Sequence, residues 1–190
     1  MPRQTRPPFV DYQECFDGFT RIRKEMNDLI NAEDYDMVKK SLDALKAYAA
    51  NEETIAMDLL AYYYKSGIEN VLPENYQRFI QWELIAAARG NEFAIEKIQF
   101  LIGYACDLIM EHENYDLIEY RNDIDDENVL YVLGKAICKV LVRKLNLFPI
   151  DLAQLEDNAR PYTQEDFVVF RQVLDDALPE IISSLSLIKN

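Results

Sequence analysis

The sequence is short of glycine, histidine, cysteine and positive charge. Its 190 residues include 5 Gly, 1 His, 3 Cys and 1 Trp, and 20 Lys and Arg stand against 34 Asp and Glu, a formal charge of −14. Scarce glycine disfavours a turn-rich all-β fold. Gly18, Gly67, Gly90, Gly103 and Gly134 stand singly, so no glycine-rich loop is present to cradle a phosphate. No serine–histidine or cysteine–histidine arrangement appears. Cys15, Cys106 and Cys138 are odd in number and far apart, which points to neither a disulfide framework nor a zinc knuckle. Buried free thiols in a reducing cytoplasm are the expectation. The deficit of positive charge opposes non-specific binding to nucleic acid.

Long hydrophobic runs are also missing. The most apolar stretch, Val129–Val142, is interrupted by Lys135 and Lys139 and is too short and too charged to span a bilayer. The first eight residues are basic, but no apolar segment follows them, so no secretory signal is read. These features predict a cytoplasmic chain that engages no membrane.

What is present is a folding composition: 49% hydrophobic residues and 12% aromatics. A disordered chain this acidic would carry fewer of both. The length suits a single domain spanning 1–190.

Helical periodicity dominates. Tyr12, Cys15, Phe16, Phe19, Ile22, Met26, Leu29 and Ile30 recur at three- and four-residue steps, the mark of an amphipathic helix over about 11–31. Similar patterns predict helices over about 34–50, 53–66, 74–89, 91–111 and 127–146, with a short piece at 114–121. Phe148-Pro149 ends the 127–146 helix and 149–162 reads as a connector. Thr163 to Asp166 resembles a capping box that opens a last helix, interrupted or restarted at Pro179. No alternating strand pattern is found. The expectation is an all-α chain of about seven or eight helices.

Three segments look alike. Asp34-Tyr35, Asn75-Tyr76 and Asn114-Tyr115 each place a capping residue before a helix, at spacings near 40 residues. A period of that length with two helices per unit marks an α-solenoid-like, antiparallel helix-pair array. The central unit is more specific. It reads Ala56, Leu60-Ala61, Tyr64, Gly67 and Val71, then Arg78-Phe79, Trp82, Ala86-Ala87, Gly90 and Ala94. This spacing resembles the Sel-one-like repeat, a relative of the tetratricopeptide repeat, with Ala61 in place of the first Gly and Phe79 in place of an Ala. Small residues at Ala61, Ala86 and Ala87 let helix backbones approach. Gly67 and Gly90 suit left-handed positions after helices. The resemblance implies a protein-binding scaffold with a repeat-like core over about 34–121, a helical cap over 122–190, and no catalytic residues.

Candidate sites follow from the same pattern. Counting about 100° per residue from Ala56, Leu60, Tyr64 and Gly67 share a face, while Asp58 and Tyr62 lie away from it. Asp58 and Tyr62 are therefore the expected partner contacts on a concave surface; the competing reading packs that side against a flanking helix. His112 stands between Glu111 and Glu113, and with no second histidine it reads as a helix-end residue. Asp123, Asp125, Asp126 and Glu127 lack the glycine and glutamate of a calcium loop and read as a solvated capping loop. Lys135, Lys139 and Arg143 form a basic stripe expected to meet acidic residues of the same chain. No catalytic, cofactor or metal residue is expected. The leading expectation is a non-enzymatic adaptor that binds another protein, possibly a basic one. The alternatives are an acidic inhibitor or immunity-type protein that neutralises a basic enzyme, and a carboxylate-metal enzyme not recognised by motif.

Overall fold

A computed structural model describes residues 12–113, 127–152, 155 and 157–188. The expected piece at 114–121 and the acids Asp123, Asp125 and Asp126 lie outside them, as do the side chains of His112 and Glu127. The described residues form eight helices and no strand: α1 (Tyr12–Asn31), α2 (Tyr35–Ala50), α3 (Thr54–Ser66), α4 (Tyr76–Ala88), α5 (Glu92–Lys97), α6 (Gln99–Glu113), α7 (Glu127–Lys144) and α8 (Gln164–Ile188). The fold is an all-α helical array, as the periodicity predicts.

Helix starts obey local chemistry. The side chains of Asp34, Asn75 and Asn91 accept hydrogen bonds from the backbone N–H of Met37, Arg78 and Ala94, each three residues on. Asp166 accepts from both the backbone N–H and the hydroxyl of Thr163, which is the reciprocal half of a capping box. These bonds and the neighbouring Arg160 hold the Asp166 carboxyl below its usual range.

Short loops set neighbours side by side. α2 packs on α3 across Asn51–Glu53, and α3 packs on α4 across the loop at 67–75. α1 lies over α2, α3 and α5. α7 packs on α4, α5 and α6, and α8 on α6 and α7. α7 comes so close that a Cβ on Gly134 would stand 2.6 Å from Ile95 and 2.7 Å from Ile102. One hydrophobic cluster runs from Phe19 in α1 to Ile181 in α8. α3 and α4 lie at its centre and bury residues on every side: Met57, Leu59, Leu60, Tyr63 and Tyr64 in the first, Trp82, Leu84, Ile85 and Ala87 in the second. Helices apolar all round belong in such an interior.

Two boundaries differ from expectation. The helix expected over 91–111 is divided at Ile98 into α5 and α6. The last helix is not broken at Pro179 but runs through it to Ile188. Pro179 is exposed, while buried Leu178 and Ile181 hold both halves against the core.

Gly67 follows α3 with φ of 67° and ψ of 166°, a conformation suited to glycine alone, and its Cβ would sit 3.3 Å from the Glu74 nitrogen and the Leu72 oxygen. Gly67→Ala is expected to destabilise the chain by about 1–3 kcal/mol in urea unfolding. No measurable change would mean the loop relaxes without strain.

Candidate functional site

The interior carries a charge centre. Asp58 on α3 and Glu83 on α4 are shut off from solvent, at 0% and 1% exposure. Lys97, at the end of α5, reaches in between them. Its Nζ donates to Asp58 Oδ1 and lies 3.5 Å from Glu83 Oε1. The same ammonium sits 4.1 Å from the Phe19 ring centre and 4.3 Å from that of Phe93, so aromatic faces close the side toward α1.

Two carboxyls and one ammonium would leave a net negative charge in a dry interior if both acids ionised. No conventional hydrogen bond from another residue reaches Asp58 Oδ2 or either Glu83 oxygen. A proton retained between them supplies the missing donor. Burial and the neighbouring Asp58 charge push the Glu83 carboxyl well above its ordinary value of 4.5, while Asp58, also raised by burial, is held down in part by Lys97. Of the two, Glu83 is the one whose neutral form the site favours.

A carboxyl whose value is raised by folding stabilises fully below its unfolded value and less as pH rises toward the folded one. Glu83→Gln keeps a neutral donor of similar shape. The wild type should match this variant below about pH 4.5 and lose stability relative to it as pH rises from there toward the raised folded value, by at most about 1.4 kcal/mol per pH unit. Unfolding free energies of the two chains, measured from pH 4 to 8, check this. Parallel curves would mean Glu83 ionises freely.

The expectation that Asp58 faces a partner is corrected here. Asp58 does lie away from the Tyr64 side of α3, but α1 packs over α3 there and Lys97 of α5 reaches in, so Asp58 is ion-paired within the core. Tyr62 is half-buried for the same reason: its ring meets Phe19 and Tyr63 edge-on at 5.6 and 5.2 Å, and the Arg23 guanidinium stands 5.5 Å above it. Packing against a flanking helix describes both residues. Of the basic stripe, Arg143 pairs with Glu180 on α8, and the adjacent Lys144 lies 3.4 Å from the same carboxylate.

The three cysteines are buried and form no disulfide. Burial pushes Cys106 up to about 11 and Cys15 up to about 12, and raises Cys138 as well, so thiolate is scarce at neutral pH. No group of three or more metal-ligating side chains occurs among the described residues. No described helix is long and apolar enough to cross a membrane.

The segment read as a connector is docked onto the helical core. Tyr64 donates its hydroxyl proton to Asp157, which also pairs with Lys46 at 2.8 Å. The Asn75 side-chain amide donates to the Asn158 carbonyl, and backbone bonds join Arg160 to Glu74 and Tyr76. This docking builds one wall of an open groove of about 290 Å³. Tyr76 and Ile80 of α4, Phe100 of α6, Leu147 after α7, Tyr162 of the connector and Phe170 of α8 line it. Arg160 sits at its edge and is paired with Asp166 at 2.6 Å.

The exposed apolar surface concentrates here. Of nine large hydrophobic residues exposed in the described structure, Phe100, Tyr162, Phe167, Val168 and Val169 belong to this groove or its adjoining turn. Phe167 to Phe170 are four consecutive apolar residues that sweep about 300° around α8. A turn apolar on all sides is built to be covered, yet Val168 and Val169 are 65% and 63% exposed. These residues were not singled out from sequence. The run Phe-Val-Val-Phe in the first two turns of a helix that opens Gln-Glu-Asp was the available signal.

Compared with known protein families, curated proteins and solved structures, the chain matches none of them.

Proposed function

We propose that this protein is a non-enzymatic, cytoplasmic adaptor of the helical-repeat type, which binds another protein through the groove between α4, α6 and α8. The observation that carries the reading is the exposed cluster of Phe100, Tyr162, Phe167, Val168 and Val169 around a groove of interior-like composition. The cluster is aromatic-rich, as interface cores are. The Sel-one-like pattern over 56–94 supports the same class of function, with its helix pair serving as the rigid support behind the groove. A reducing compartment suits three buried, unbridged thiols.

Val169→Asp places a charge at the centre of the exposed turn without touching the core. Affinity purification of the wild type from its host cells should recover a protein in near-stoichiometric amount. The variant should lose it while its circular dichroism is unchanged. Equal recovery by both chains would remove the groove from the function.

A further inference from the structure

We infer that the occupant of the groove is a basic amphipathic helix of a partner protein, its apolar side seated on Phe100, Phe167 and Val169 and its lysines or arginines meeting Asp107 and Glu111. The inference rests on the adaptor reading and specifies its partner.

The register of α6 carries the argument. Phe100, Tyr104, Asp107 and Glu111 follow one another at four-, three- and four-residue steps, so they lie in one stripe along the helix. The stripe begins apolar, with Phe100 58% exposed at the groove and Tyr104 against Phe167 at 5.7 Å. It continues acidic, with Asp107 and Glu111 both exposed. The adjoining first turns of α8 expose Glu165 against Arg171, and Arg160 is already neutralised by Asp166. A ligand lying along this stripe therefore meets an apolar floor first and negative charge one and two turns later.

A helix reproduces that spacing in its own side chains, with apolar anchors at i and i+3 or i+4 and cations two turns on. A second copy of the chain does not fit as well, because each copy brings a charge of −14 to the contact. A basic partner gains from the same charge, which also steers its approach.

The test uses the full chain and a fluorescein-labelled helical peptide of about 20 residues, with leucine on one face and lysine on the other, followed by anisotropy. A counterpart carrying glutamate for lysine is the control. The leucine–lysine peptide should bind saturably, and about a hundredfold tighter than its glutamate counterpart. Val169→Asp and Phe100→Ser should each weaken it about tenfold or more, with circular dichroism unchanged. Asp107→Lys combined with Glu111→Lys should weaken it to a similar degree, about tenfold, and flatten its salt dependence.

Three results would overturn the inference. The peptide binds Val169→Asp and Phe100→Ser as well as wild type, which would make the binding diffuse charge attraction. Both peptides bind alike, which would remove the basic requirement. Sedimentation shows a wild-type dimer that Val169→Asp dissociates, which would make a second copy the occupant. If Val169→Asp loses the cellular partner yet keeps the peptide, this inference falls and the adaptor reading stands. If it alters neither, both fall.

Discussion

Lys97→Met should destabilise the protein by about 3–5 kcal/mol at neutral pH, the range for removing one partner of a buried ion pair. Methionine keeps the stem that packs on Phe19 and Phe93 and deletes only the ammonium. What remains is the Asp58 carboxylate, solvent-free and without its counter-charge. The loss should shrink as pH falls, because protonating Asp58 removes the charge Lys97 was needed to balance. Adding Asp58→Asn and Glu83→Gln to Lys97→Met should restore much of the stability, since a neutral polar cluster lacks the unbalanced ion. Urea unfolding at pH 7 and pH 4.5 measures both effects. A loss under about 1 kcal/mol at pH 7, with no pH dependence, would mean that the centre is hydrated and the pair is not buried in effect.

Trp82→Ala should cost about 3–5 kcal/mol, the range for an aromatic removed from a closed core. Trp82 has no exposed surface and lies on the central helix, which packs against both α3 and α7. Its neighbours in sequence, Leu84 to Ala87, are themselves buried and have little freedom to collapse into the space. Trp82→Phe should cost much less than the alanine variant. It retains a ring and removes an indole N–H that finds no hydrogen-bond partner among the described residues. A thermal or urea measurement that finds the alanine variant within about 1 kcal/mol of wild type would place Trp82 outside the core.

The helices were legible in the sequence because their signals are local. Period, capping residue and stop residue lie within a few positions of one another, and the caps at Asp34 and Asn75 behave as their residue types require. The burial of Trp82 and Tyr64 was legible too, from the register of small and aromatic residues around them.

Asp58 shows where such reasoning ends. Its angular position on α3 does point away from Tyr64, yet α1 and the Lys97 side chain of α5 stand where solvent is expected. One helix's periodicity states which sides differ, not what covers each of them. In an all-round buried helix the polar side faces another part of the protein, and Asp58 meets a lysine 39 residues away. The groove was hidden for a related reason. Its walls come from α4, α6, the residues after α7, the connector and α8, and the connector reaches its place through bonds such as Tyr64 to Asp157, 93 residues apart.

By itself, the sequence determined the all-α class, most helix boundaries and the absence of recognisable catalytic motifs. Propensity, capping and periodicity act over one or two turns and need no distant partner. Tertiary structure alone decided that the buried Asp58 and Glu83 meet a partly exposed Lys97, that the connector is docked, and that Phe167, Val168 and Val169 remain uncovered. Those outcomes depend on which surfaces meet. That choice is made by packing of the whole chain, where a residue's neighbours are far from it in sequence.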